Sequence, residues 1–401
     1  MTKKLKSVKV NNYKCLEDTG EIYFNLPNET DPGSGLTVLV GENNSGKSAL
    51  MGTFLKLKKN ELINNEDKFK GKDVCFIFCD DQGGKVKVEN YSDDARLFKT
   101  EVEDCDESSL SSEHFDVVKA NRIWRANVSN PRLTDDTYGH RNSFERHSID
   151  SELASVLSSL KDDSDKLDEF NGLLKDIIPN FGDWGTGRSR DKSYIKYKLN
   201  NGTQLSIDYA LGDGILNLFR IVHALIFDRI ICIDEPEAYL HPRAQIALSQ
   251  IFNDLSKEKQ IIISTHSPYI LKNINFEKVK ILHFELNDAA SDINEIQSKS
   301  RYFAEISYRV YGVNGEDYHN DLYNSLYIES GCSSHTAFSN KLKNEDCLES
   351  KQDNTATDSQ QDNVVLPVYI RNCIHYPHNK EDHFQNKLEE SITLLENIYE
   401  K

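Results

Sequence analysis

The chain has 401 residues, 38% of them hydrophobic and 28% charged, and it carries a formal net charge of −17. That length suits one large domain with a smaller one, or two medium domains. The acidic balance removes composition as an argument for nucleic-acid binding, so any such contact must come from a local patch. Eight cysteines lie at 15, 75, 79, 105, 232, 332, 347 and 373 with no CxxC pair, which shows neither a disulfide framework nor zinc-ligand spacing. The start, Met-Thr-Lys-Lys-Leu-Lys, leads into alternating residues, and no segment has the length and apolarity of a membrane span, so a cytoplasmic protein without membrane contact is expected.

Residues 4–10 alternate apolar and polar as a half-buried strand does, and a second strand is expected over 20–25. Residues 36–40 (LTVLV) are a continuous apolar run, the pattern of a strand buried on both faces. This run ends on Gly41-Glu42-Asn43-Asn44-Ser45-Gly46-Lys47-Ser48, followed by a helix over 47–58. G-x-x-x-x-G-K-S between a buried strand and a helix is a phosphate cradle: glycines let backbone N–H groups converge on oxyanions, and the helix N-terminus adds its dipole. Gly41, Asn43, Asn44, Ser45, Gly46, Lys47, Ser48 and Ala49 are therefore candidate nucleotide contacts. Lys47 has the reach for the β- and γ-phosphates, and Ser48 is a candidate Mg²⁺ ligand.

Residues 73–79 and 85–89 flank Asp-Asp-Gln-Gly-Gly as a hairpin. The acidic, Ser-rich stretch 90–150 is expected to hold little structure, and 151–177 reads as helical through Leu153, Leu157, Leu160, Leu167, Phe170 and Leu174. Pro179 and the glycines from 182 to 187 read as punctuation. A hairpin is expected over 193–199 and 204–208, then a helix over 213–227 opened by Leu211-Gly212-Asp213-Gly214-Ile215. Strand 229–233 ends in Asp234-Glu235-Pro236-Glu237, a Walker B pattern in which Asp234 would hold the metal and Glu235 would orient the attacking water. Helix 242–256 and strand 260–264 follow, and the latter ends in His266 at the spacing of a switch histidine for the γ-phosphate. Strand–helix alternation implies a parallel α/β core. Residues 330–363, poor in hydrophobics, are expected as a loop or disordered insert within a helical C-terminal region. Leu388, Ile392 and Leu395 give the last helix an apolar stripe for packing or oligomerisation.

Taken together, Asn12-Tyr13-Lys14, GENNSGKS, LGDGI, IDEPEAYLHPRAQ and STHSPYIL resemble the ABC-type AAA ATPases grouped with the overcoming-lysogenization-defect (OLD) nucleases and RecF. The resemblance covers roughly 1–60 and 195–290 and implies an α/β fold: an ABC-type P-loop NTPase head with a mixed sheet, a helical or irregular insertion and an α-helical C-terminal region. The implied organisation is 1–90 and 193–290 as the two parts of the head, 91–192 as the insertion, and 291–401 as the helical region. It implies ATP and Mg²⁺ as ligands and a homodimer or higher oligomer of heads sandwiching ATP. Asp213 and Gly214 would be signature residues that complete the site of the opposite subunit. The segment departs from LSGGQ, with Gly212 in place of Ser and Ile215 in place of Gln. No Toprim-like acidic cluster follows the head, which resembles the ATPases of the Septu and PARIS antiphage systems and implies a separate effector, a nuclease. Arg371, Asn372 and His378 are similar to the R-x(4–6)-H element of HEPN ribonucleases, so a self-contained ATP-gated ribonuclease stays open, as does a RecF-like repair ATPase.

Overall fold

The structure, a computed structural model, describes residues 3–59, 67–90, 98–101, 110, 114–119, 153–154, 156–189, 192–200, 202, 204–206, 213–287, 290–296, 303–313, 315–344, 350–352, 363–376 and 384–399. The chain divides into two compact units, Met1–Ile296 and Gln297–Lys401.

The first unit opens with β1 (Leu5–Tyr13) and β2 (Leu16–Tyr23), paired antiparallel around a turn in which Asn12 and Lys14 adopt left-handed backbone (φ 58° and 54°). Next come β3 (Leu36–Gly41), buried at every position, and helix α1 (Lys47–Lys59). The expected hairpin is β4 (Cys75–Asp80) with β5 (Lys85–Asn90), and β6 (Phe98–Glu101) joins its edge. Five strands thus form an antiparallel sheet in the order β2-β1-β4-β5-β6. Its register aligns Val8 and Val10 with Phe78 and Phe76, and these with Val86 and Val88, so one face is apolar. That face joins Phe54 of α1 in the core.

The central sheet draws on β7 (Phe115–Lys119), β11 (Ile230–Asp234), β12 (Ile261–Ser264), β13 (Lys280–Asn287) and β14 (Ala290–Glu295). Its order is β14-β13-β3-β12-β11-β7, parallel except for the antiparallel edge strand β14. The remaining elements are α2 (Ser164–Ile177), β8 (Phe181–Ser189), β9 (Lys192–Leu199) and β10 (Gln204–Ser206), which form a separate three-stranded sheet after α2. Three helices complete the unit: α3 (Asp213–Leu225), α4 (Pro242–Leu255) and the four-residue α5 (Pro268–Leu271). Phe170, Trp184 and Phe219 meet edge to face and tie the small sheet to α2 and α3. One side chain joins the two larger sheets. Buried Gln260, just ahead of β12, accepts from Leu5 N at 2.7 Å and donates to Leu5 O at 2.7 Å and Asn25 O at 2.9 Å.

Three expectations for this unit need correction. β7 lies in the stretch 90–150, read as nearly structureless, and within 91–192, read as an insertion; it is instead a core strand hydrogen-bonded to β11. Pairing and burial of Phe115 override the acidic surroundings. The glycine cluster read as punctuation is strand β8, in which Gly185 and Gly187 sit opposite Lys196 and Tyr194. The helix expected over 151–177 is interrupted at Asp163, whose carboxylate caps α2 by accepting from Lys166 N.

The second unit is helical: α6 (Phe303–Tyr311), α7 (Gly315–Ser330), α8 (His335–Asn344), α9 (Leu366–His375) and α10 (Phe384–Tyr399), with the short pair β15 (Ser350–Gln352) and β16 (Asn363–Val365). Helix α8 and strand β15 fall in 330–363, where a loop or disordered insert was expected, and β16 begins at its end; Phe338 and Leu342 are buried and anchor α8. Residues 345–349 and 353–362 of that expectation lie outside the described residues. Asp317, Tyr318 and His319 sit in the first turns of α7. Leu388, Ile392 and Leu395 are buried in this unit's own core, so the stripe on α10 serves packing. Buried His319 meets Ser391 Oγ at 2.9 Å and is held neutral, its pKa lowered by burial to about 3.

Candidate functional site

Parallel pairing places the ends of β3, β12 and β11 along one edge of the sheet, with Leu39 beside Ser264 and Ser264 beside Asp234. The loop after β3 must turn at once into α1. Gly41 and Gly46 supply φ of 144° and 102°. A Cβ on Gly41 would lie 2.2 Å from Phe284 O, and one on Gly46 would lie 2.7 Å from Ser291 Oγ, so β13 and β14 brace the loop from behind. Asn44 is also left-handed, at φ 65°.

Lys47 is 4% exposed and folds onto its own loop, donating to Gly41 O (2.8 Å), Glu42 O (2.7 Å) and Ser45 Oγ (3.2 Å). Burial lowers its pKa to about 8, against the opposing pull of Asp234, Glu235, Glu237 and Glu42. Ser48 Oγ donates to Asp234 Oδ1 at 3.2 Å, and Ser264 Oγ donates to the same oxygen. Two residues 186 positions apart thus converge as a hydroxyl–carboxylate pair, the donor set an Mg²⁺ ion takes at such a site.

Glu235 follows Asp234 in left-handed backbone (φ 52°), its N–H donating to Ser264 O at 3.0 Å. This conformation is uncommon for a residue with a Cβ and presents the carboxylate at the cleft. The cleft measures about 470 Å³, and Asn43, Asn44, Ser45, Gly46, Lys47, Ser48 and Ala49 line it. Glu235, His266, Lys14 and Cys15 complete its lining. Glu237 ties the acidic segment after β11 to the histidine segment after β12: its Oε1 accepts from His266 N at 2.7 Å. Burial raises Glu237 to about 7, with the His266 amide opposing, and its Oε2 is buried without a hydrogen-bond partner. Asn217 donates to Pro236 O and Ala238 O, both at 3.3 Å, and so fixes the turn after Asp234.

Residues 36–272 match the family described as "AAA domain, putative AbiEii toxin, Type IV TA system". The matched span exceeds half of the chain and contains both phosphate loop and acidic strand. The chain belongs to this AAA family. Solved structures of SMC heads are similar to this chain. The SMC head bound to the C-winged helix domain of ScpA superposes with a TM-score of 0.51 at 14% identity, covering 74% of this chain and 99% of that one. The SMC head domain with an extended coiled coil bound to the C-terminal domain of ScpA, from Pyrococcus furiosus, gives 0.48, 14%, 74% and 96%. The SMC head domain from Thermotoga maritima gives 0.41, 14%, 74% and 100%. The first of these shows the fold to be that of an ABC-type P-loop head. No curated protein matches the chain in sequence.

Within this AAA head, motif spacing points to every residue from Asn43 to Ala49, and to Glu235 and His266, all of which share the cleft. Gly41 closes the back of the loop, and Asp234 lies behind Ser48. Asp213 and Gly214 are not among the cleft-lining residues; they open α3, and a Cβ on Gly214 would lie 2.3 Å from Tyr239 O. The glycine is therefore demanded by packing against the loop after Asp234. The side chain of Asp213 lies outside the described residues. Motif reading does not single out Lys14, Cys15, Glu237 or Ser264 as site residues. For Lys14 the signal was present, since Asn12-Tyr13-Lys14 belongs to the family resemblance. In the second unit Arg371 and Asn372 are neighbours on α9, joined by a 3.1 Å bond from Arg371 Nη1 to Asn372 Oδ1, and His378 lies outside the described residues. Among the described residues no group of three or more His, Cys, Asp or Glu could hold a metal ion, and no helix is long and apolar enough to cross a membrane.

Proposed function

We propose that this chain is the ATP-hydrolysing regulatory subunit of a bacterial antiphage defence system, in which closure of two heads on ATP controls a separate nuclease effector. The observation that carries the ATPase half is the 3.2 Å approach of Ser48 to Asp234 beside Lys47. In this reading the loop amides from Asn43 to Ala49 bind the phosphates, and Lys47 leaves its loop carbonyls for β- and γ-phosphate oxygens. Ser48 and Asp234 would hold Mg²⁺, which would neutralise phosphate charge when bound. Glu235 orients the attacking water and accepts its proton, while His266, held through its backbone by Glu237, faces the γ-phosphate.

A second copy would complete the site through Asp213 and Gly214 at the start of α3. The defence role rests on the resemblance to antiphage ATPases and is in keeping with the toxin–antitoxin wording of the family description. Purified protein should hydrolyse ATP and, as Glu235→Gln, bind ATP without turning it over and accumulate as a dimer in light scattering. Unchanged turnover in that variant would overturn the site. Cleavage of tRNA by the wild-type chain alone would replace the separate effector with a self-contained ribonuclease.

A further inference from the structure

Three helices of the second unit gather aromatic and cationic groups that the ATPase reading does not use. Tyr323 of α7 is fully buried, and its hydroxyl lies 2.9 Å from Nδ1 of His335 on α8. The His335 ring stacks on Tyr327 with centroids 4.5 Å apart. On α9 the Arg371 guanidinium lies 5.9 Å from the centroid of the Tyr323 ring, and His375, one helical turn on, faces the same neighbourhood. Arg371 is poorly compensated. Its hydrogen bond goes to the adjacent Asn372 amide, its Nε is buried with no partner, and among the described residues no carboxylate pairs with it. Burial first, then Arg371 and His375, lower the pKa of half-buried His335.

An unpaired cation drawn out of water is costly, and a buried donor without an acceptor points to a missing water or ion. The donors also have a definite chemistry. In the tautomer in which the Tyr323 phenol donates to Nδ1, the ring proton of His335 is on Nε2 and the imidazole offers an N–H. The guanidinium offers a fork from a different helix. Donors on two helices, both held against Tyr323, suit a tetrahedral oxyanion; a planar carboxylate would be served by the fork alone.

We propose that His335, Arg371 and His375, braced by Tyr323, form a binding site for a phosphate oxyanion built from residues of the C-terminal unit alone. The phosphate is either free orthophosphate or the terminal phosphate of a nucleotide chain. The proposal does not rest on the ATPase reading.

The test uses full-length protein carrying Lys47→Ala, which silences the nucleotide cleft, titrated by calorimetry near pH 7. Inorganic phosphate should bind, and adding Arg371→Gln should weaken that binding at least tenfold, with His335→Gln weakening it several-fold. A dinucleotide with a 5′-phosphate binding more tightly than orthophosphate, and more tightly than its 5′-hydroxyl form, identifies the nucleotide chain as the source; equal affinity identifies free phosphate. In the Lys47→Ala protein itself, phosphate should shift the His335 ring proton resonance and raise its midpoint of titration, a readout that does not depend on how Arg371 variants fold. No phosphate binding, or binding and resonance shifts that do not depend on Arg371 and His335, would overturn the proposal.

Discussion

Lys47 and Arg371 are both cations drawn partly or wholly out of water, and the chain treats them in opposite ways. Lys47 reaches three oxygens of its own loop, and four carboxylates act on it. Arg371 reaches one neighbouring amide and, among the described residues, pairs with no carboxylate. The first arrangement is self-sufficient without ligand: loop carbonyls hold the ammonium that phosphate oxygens would take. The second is incomplete as it stands. A polar group's burial therefore says less about its role than whether the chain itself satisfies it.

The comparison can be broken most decisively at Lys47. Lys47→Ala should lower ATP turnover about a hundredfold or more, the scale of losing a preorganised charge at a phosphate; phosphate release within threefold of wild type would make Lys47 a strut. A smaller effect tests its charge. With a pKa of about 8 in the free protein, Lys47 passes from mostly charged at pH 7 to mostly neutral at pH 9. ATP affinity should then fall about tenfold across that range, because the neutral amine loses its attraction for phosphate; a flat profile by equilibrium binding would refute it.

Glu237 sharpens the contrast from the acidic side. Its folded pKa of about 7 exceeds the ordinary carboxylate value, so the folded chain binds the extra proton between those pH values. The stability this contributes is present at low pH and is lost as pH rises through 7. Glu237→Gln keeps an acceptor for the His266 amide and should raise the melting temperature by a few degrees at pH 8, with little change at pH 5. The smallest effect concerns Arg371. In phosphate-free buffer Arg371→Gln should leave the melting temperature within about two degrees of wild type or raise it, because an uncompensated charge is removed. A large drop would show that Arg371 holds the helices together.

The parts of the site that could be read from sequence are those where chemistry and a continuous apolar run coincide. LTVLV before the glycine loop, IICID before Glu235 and IIIS before His266 each declare a buried strand and the residue at its end. β7 is hidden because FDVVK sits in an acidic tract, and only its pairing with β11 gives it a place in the sheet. β8 is hidden because its glycines mimic a turn. Glu237 falls within the quoted acidic motif, but its contact is of long range, with the His266 amide 29 residues away, so the motif does not reveal its role. Helix α8 has few apolar residues, and Phe338 and Leu342 become informative only once α7 and α9 surround them.

The short strand β12 has a mechanical consequence. At one end Gln260 clasps Leu5 on both its amide and its carbonyl; at the other Ser264 grips the carboxylate of Asp234. β1 continues from Leu5 to the turn that carries Lys14 and Cys15 to the cleft, so both parts of its lining take their position from the same four-residue strut. Sliding one sheet past the other at this point would break the paired bonds of the amide clasp.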